Sequence, residues 1–328
     1  MKKDLTKRIA VLLINLGTPE KPYKQEVREY LKEFLSDRDV IRLPRFIWLP
    51  ILYGFILPFR SRKSAKLYQQ VWTERGSPLL FNTYDQSKHL QKKLNKHEPY
   101  KYHVEVAMRY GKPSIDSAVE KLRADGFKKI IYIPLFPQYS TTTTLSIYKK
   151  ICEFEKMISE FKFVSEFHTH NLYIKAIADK IRKFQENNGI PDKLLFSYHG
   201  IPKSYIGSDE PYEEQCHKTS ELIARQLKIE KPSYEVVFQS RLGKSEWLKP
   251  YLSERLKELS QEGISNIQIF CPGFVSDCLE TLEEVGQEAK TIFLNSNGNR
   301  FDFIKCLNSD DGFMNMLENI VLSKEKEF

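Results

Sequence analysis

One histidine and one row of carboxylates have the types and spacing that chemistry needs. His199 closes the apolar run Leu194-Leu195-Phe196-Ser197-Tyr198 and is followed by Gly200. A neutral imidazole at a strand end can take a proton near neutral pH or ligate a metal; in the plain alternative it only hydrogen-bonds within the loop. Glu280, Glu284 and Glu288 recur at i, i+4 and i+8, after the run 266–270 and the loop containing Asp277 and Cys278. On an α-helix they share a face and repel one another unless something cationic lies beside them. A metal ion or a proton path accounts for the row, and a solvated acidic face is the alternative. Together the histidine and the carboxylates suit a divalent metal in transit, without the closed four-ligand set of a structural zinc site. His168 and His170, Cys216 and His217, and the hydroxyl run from Ser140 to Thr144 are weaker candidates. The first two pairs read as surface or structural groups, and the hydroxyl run as a helix cap.

The elements that must position these residues are short apolar runs alternating with amphipathic stretches, the pattern of a parallel sheet covered by helices. Strands are expected at 9–16, 103–108, 129–135, 194–198, 235–238 and 266–270, and helices at 114–124 and 250–262, the latter ending before Gly126 and Gly263. In such sheets ligands sit beyond the carboxyl ends of the strands, where His199 and Glu280 fall. No Gly-x-Gly-x-x-Gly follows a strand and no P-loop is present, so nucleotide use has no support.

The 328 residues suit two α/β domains better than one. With 41% hydrophobic and 29% charged residues the chain reads as globular, and its +8 balance is spread over mixed-sign segments, so nucleic-acid binding is not indicated. Five cysteines without a C-x-x-C pair suggest a reducing compartment. Residues 1–7 lack the features of a secretory signal, so a cytoplasmic location is expected.

A faint repeat supports two similar lobes. Gly17-Thr18-Pro19 resembles Gly200-Ile201-Pro202, Arg109-Tyr110-Gly111-Lys112 resembles Arg241-Leu242-Gly243-Lys244, and the helix-to-strand spacing around Gly126 recurs around Gly263. The glycines lie 183 residues apart and the arginines 132, so the first lobe carries an insertion of about 50 residues. Within it the fourteen residues from Phe46 to Phe59 hold no charge and are flanked by Arg42, Arg45, Arg60, Arg62 and Lys63. A membrane span needs roughly 20 apolar residues, and Pro50, Gly54 and Pro58 are expected to interrupt a helix. The segment therefore reads as an interfacial lip, or alternatively as a buried core helix.

Several ordered motifs then carry a resemblance. Asn15-Leu16-Gly17-Thr18-Pro19-Glu20, Gly76-Ser77-Pro78-Leu79, Arg109-Tyr110-Gly111, Phe136-Pro137-Gln138-Tyr139-Ser140, Ser197-Tyr198-His199-Gly200, Pro211-Tyr212, Gln239-Ser240-Arg241 with Trp247, and Asp277 through Glu284 resemble the ferrochelatase family over nearly the whole chain. The resemblance implies two Rossmann-like lobes, each a parallel sheet flanked by helices, with the active-site cleft between them. It implies a first lobe over 1–165 with the lip insertion at about 37–80, a second lobe over 166–305 carrying His199 and Glu280, and a C-terminal segment, 306–328, packing back on the first. It implies a lyase that inserts Fe²⁺ into protoporphyrin IX, with coproporphyrin or another tetrapyrrole, or a non-catalytic porphyrin carrier, as alternatives. His199 and Glu280 would be the catalytic and metal-contacting pair, and Asp277, Glu284 and Glu288 a proton or metal path. Leu16, Ser77, Arg109, Tyr110, Trp247, Arg60 and Arg62 would bind the porphyrin, and the lip would touch a membrane surface. No resident cofactor is implied, Fe²⁺ being a substrate. Cys278 stands where some relatives have a second histidine, and no cysteine follows Cys306, so no iron–sulfur cluster is expected. Leu16, where relatives acting on coproporphyrin have a tyrosine, favours protoporphyrin.

Overall fold

The apolar run nearest the amino terminus becomes β1 (Ile9–Thr18), with Ala10 to Ile14 wholly buried. It is apolar throughout rather than alternating because both of its faces are covered. Around it pair β2 (Tyr102–Gly111), β3 (Lys129–Pro134) and, at the edge, β4 (Glu160–Phe163), all parallel, in the order β2-β1-β3-β4. The helices of this unit are α1 (Lys24–Ser36), α2 (Arg45–Ile51), α3 (Ser61–Val71), α4 (Pro78–His97), α5 (Ile115–Ala124) and α6 (Ser146–Cys152). α1 buries Val27, Tyr30, Leu31 and Leu35, one face at three-to-four spacing, while its charged residues face outward. α5 starts where expected, its Ser114 hydroxyl accepting the Ser117 N–H at 3.1 Å.

This computed structural model describes residues 8–154, 160–207, 209–243 and 245–328. The charged residues 1–7 and Lys244 of the repeat lie outside the described residues. A second sheet has β5 (Lys193–His199) at its centre beside β6 (Tyr234–Gln239) and β7 (Asn266–Phe270), with β8 (Arg300–Phe303) at the edge; the order β6-β5-β7-β8 copies the first. Its helices are α7 (Asn171–Asn188), α8 (Tyr212–Leu227), α9 (Leu252–Gln261) and α10 (Lys290–Asn295), and α11 (Asp311–Glu325) closes the chain. The fold class is therefore two Rossmann-like α/β lobes. One compact unit comprises the chain up to Leu135, Ser140–Glu166 and Met314–Phe328; the other comprises Phe136–Tyr139 and Phe167–Phe313. Within the first unit the C-terminal residues are tied to α4 and β2: Lys93 donates to Asn315 at 2.6 Å, His97 pairs with Glu318 at 2.9 Å, and the Tyr102 hydroxyl donates to Glu325.

Strand register corrects the repeat. β1 and β5 keep the spacing of 183, Ala10 opposite Ile130 and Lys193 opposite Ile267. Val11 pairs with Val104 and Leu194 with Tyr234, which aligns Arg109 with Gln239, not with Arg241, and Tyr110 with Ser240. β2 continues to Gly111 whereas β6 stops at Gln239, so Arg241 lies beyond its sheet.

The lip stays helical through its prolines, which corrects the expected interruption. α2 runs into a wide π-helical stretch, Leu52–Arg60, whose turns close on i→i+5 bonds, and then into α3. Trp48, Leu52 and Leu57 are buried, and Trp48 Nε1 donates to the Leu35 carbonyl at 2.7 Å. Phe46, Phe55 and Phe59 stand out at 80, 66 and 73% exposure. One side of the segment is thus core and the other is an apolar surface. Among the described residues no helix is long and apolar enough to cross a membrane.

Candidate active site

His199 is the last residue of β5, and the backbone just beyond it leaves little freedom. Gly200 donates its N–H to the Gln239 carbonyl at 2.8 Å, and a β-carbon there would lie 2.9 Å from that oxygen and 3.3 Å from the Trp247 ring. His199 Nδ1 lies 2.6 Å from the Gly200 carbonyl. A carbonyl can only accept, so Nδ1 carries the hydrogen and Nε2 keeps the lone pair that takes a proton or meets a cation. The Tyr212 hydroxyl donates to the His199 carbonyl at 3.0 Å, and the Trp247 ring lies 6.5 Å from the imidazole, centroid to centroid. Trp247 is held by the bridge of its own residue to Pro202 and by the Leu248 N–H on the Ile201 carbonyl.

The acidic row begins where β7 has ended, on a helix wider than the sequence implies. Glu280–Ala289 is π-helical, continuing as α10. A π-turn holds more residues than an α-turn, so the row winds backward around the axis instead of forward, yet the three carboxylates still share a side. Exposure rises along it: Glu280 and Glu284 are half-buried and Glu288 is exposed.

Two neighbouring residues at the end of β6 fix this row. The Gln239 side chain is buried; its Nε2 donates to the Glu280 carbonyl at 2.9 Å and its Oε1 accepts the Ser197 hydroxyl at 2.7 Å. Ser240 donates its N–H to Glu284 Oε1 and its hydroxyl to Oε2, each at 2.5 Å. Burial pushes the Glu284 carboxyl up; the Ser240 bonds and the nearby His199 ring pull it down, Glu280 adds to the rise, and the result stays above the ordinary carboxylate range. Cys278 is buried, and its thiol is pushed well above the usual range by desolvation and then by Glu280.

Asp277 does not join the row. Its Oδ1 accepts the Cys306 N–H and its Oδ2 the Asn308 amide, both at 2.9 Å, so this buried carboxylate anchors the loop after β8. Among the described residues no three histidine, cysteine or acidic side chains gather as a metal cage.

The first unit holds a second polar cluster. Asp37 Oδ2 accepts from Arg109 at 2.6 Å, the Tyr110 hydroxyl at 2.7 Å and the Ser146 hydroxyl at 2.8 Å, while Oδ1 accepts the Asp39 N–H at 2.8 Å. Burial would raise the Asp37 carboxyl, but the Asp39 N–H, the two hydroxyls and the Arg109 charge outweigh it and hold it low. Tyr110 is only 1% exposed, with the Arg109 guanidinium 4.7 Å from its ring centroid. Ser77 is similarly enclosed, 2.8 Å from the Thr18 hydroxyl. Leu16 and Arg60 are half-buried and Arg62 is exposed. Asp37 and Ser146 escaped sequence reasoning, because nothing in their local pattern distinguishes them from solvated loop and helix residues.

The concavity of about 330 Å³ bounded by Arg8, Gln91, Asn95, Tyr100, Tyr102 and His103 lies at the amino end of the first sheet. It is remote from strand carboxyl ends, where ligands of such folds bind.

Known proteins resemble this chain in fold and in sequence. Solved structures similar in fold include the sirohydrochlorin chelatase SirB from Bacillus subtilis subspecies spizizenii in complex with cobalt, at TM-score 0.54 and 10% identity over 97% of this chain and 96% of that one. CbiX, the terminal enzyme of sirohaem biosynthesis in denitrifying bacteria, matches at TM-score 0.53 and 11% identity over 96 and 98% of the two chains. The ferrochelatase of Idiomarina loihiensis is 44% identical over 96% of this chain and 87% of its own length. That of Aliivibrio fischeri (strain MJ11) is 44% identical over 97% of this chain and 98% of its own. A family model described as Ferrochelatase matches residues 8–325, so the motifs, the paired sheets and the identities extend along the same length, and the chain belongs to the ferrochelatase family.

Proposed function

We propose that this protein inserts Fe²⁺ into protoporphyrin IX to form protohaem, releasing two protons. The observation that carries the reading is the His199 imidazole at the carboxyl end of β5, its Nδ1 hydrogen committed to the Gly200 carbonyl and its Nε2 lone pair available. Metallation must remove two pyrrole N–H protons and strip water from the ion. His199 Nε2 is the proton acceptor, and Glu280 is its partner in receiving the ion. Glu284 and Glu288, with exposure rising along the π-helix, form the path by which protons leave or the ion arrives. Asp277 supports this path by holding the loop behind the helix start.

Trp247, beside His199, is assigned to macrocycle contact. Leu16 is assigned to the same task, and its apolar side chain favours protoporphyrin over a more carboxylated substrate. Arg60 and Arg62 are the cations for propionate groups. Arg109 is assigned to support, since its guanidinium is already bonded to Asp37 and Ser146. This reading assigns the chain no iron–sulfur cluster. The apolar face of Phe46, Phe55 and Phe59 supports peripheral contact with a membrane from the cytoplasmic side.

Anaerobic Fe²⁺ insertion, followed by loss of porphyrin fluorescence, tests the reading. His199→Ala and Glu280→Gln are expected to lower kcat by at least about 100-fold, the usual worth of a positioned acid–base group, while porphyrin still binds. Binding without turnover in the unmodified protein would point to a carrier instead.

A further inference from the structure

Ser240 holds a backbone conformation that a serine avoids. Its φ is +67°, in the left-handed region, where a β-carbon crowds the following carbonyl oxygen. From that conformation its N–H and its hydroxyl reach both oxygens of one carboxylate, Glu284, at 2.5 Å each. The residue before it, Gln239, fixes the Glu280 carbonyl with its side chain and accepts the Gly200 N–H with its carbonyl. The strand end thus touches the segment after His199 and two members of the acidic row. The corresponding positions of the first sheet, Arg109 and Tyr110, likewise bind a single carboxylate, Asp37, through side chains alone. At Ser240 the backbone N–H and the hydroxyl turn toward one and the same carboxylate.

We propose that Ser240 is a positioning residue for metal entry, holding the Glu284 carboxylate in one orientation so that a divalent cation passing along the row meets it correctly placed. The inference rests on the proposed metal-inserting function. A carboxylate gripped at both oxygens by one residue cannot swing with the ion, and its remaining lone pairs keep a fixed direction. Gln239 assists by fixing where the helix that bears Glu284 begins.

The test uses the full-length protein with Fe²⁺ and protoporphyrin IX under anaerobic conditions, varying each substrate in turn. Ser240→Gly removes the hydroxyl but keeps the N–H and suits the left-handed backbone, so folding should survive. Its KM for Fe²⁺ should rise at least about tenfold, the worth of one hydrogen bond to a charged group, with porphyrin KM and Tm unchanged. In a Glu284→Gln background the same change should add little further, because the two residues act as one unit. A Ser240→Gly variant with unaltered Fe²⁺ KM overturns the inference, and so does one whose porphyrin KM and Tm shift as much as its Fe²⁺ KM. An unmodified protein that inserts no metal overturns the proposed function, and this inference with it.

Discussion

Asp37 shows how much one side chain can hold in a fold of this kind. Three donors converge on its Oδ2, and its low carboxyl is stabilised in the charged form by them. A depressed folded-state value contributes stability above the ordinary carboxylate value near pH 4 and loses it as pH falls through the folded value. Asp37→Asn should therefore cost about 2 kcal/mol at neutral pH, the scale of hydrogen bonds to a charged group, and the gap in Tm to the unmodified protein should close below about pH 4. Thermal melts from pH 3 to 7 would check this, and a gap that does not change with pH would remove the charged form of Asp37 from the account. His199 and Glu280 were legible in the sequence because a strand end and a helix start are marked by composition. Gln239 and Ser240 were visible only as part of a motif, because what they bind depends on register and on a positive φ that no residue type announces.

Elements were read best where burial is complete. All six expected strands are present; the central β1 and β5, covered on both faces, are the most continuously apolar, and the others keep enough Val, Ile and Phe to be read. Two strands were missed: Glu160–Phe163 and Arg300–Phe303, each at one edge of its sheet, are four residues long and carry charges. The π-helical stretches were missed too, since an i→i+5 turn leaves no compositional mark. The lip was only half resolved, because periodicity alone could not say which apolar residues face inward. The structure separates them, and so sets the experiment. Replacing Phe46, Phe55 and Phe59 with Ser should lower partition onto anionic vesicles with little loss of Tm. Trp48→Ser or Leu52→Ser should lose about 3 kcal/mol or more, since these side chains are core. Vesicle sedimentation together with thermal melts distinguishes the two groups, and unchanged partition in the triple variant would end the membrane reading.

At the scale of the whole molecule, the shared strand order of the two sheets was anticipated by the 183-residue spacing of Gly17 and Gly200. The finer match failed by two residues, because motif likeness does not know where a strand stops. The first unit also draws on the far end of the chain: Met314, Met316, Leu317 and Val321 are wholly buried, and Asn315, Glu318 and Glu325 bond α4 and β2. A chain ending at Phe313 should consequently fail to fold cooperatively, with the loss seen as a broadened melt and aggregation. A sharp, unshifted melt would refute that dependence. The bond that sets the His199 tautomer has an unusual inheritance. Its acceptor is a main-chain oxygen, so no exchange of a neighbouring side chain deletes it. Gly200 itself has no room to vary, with Gln239 and Trp247 pressed against it. Drift among descendants of this sequence can remodel almost everything around the base, yet the identity of the nitrogen that bears the hydrogen is passed on by the peptide backbone.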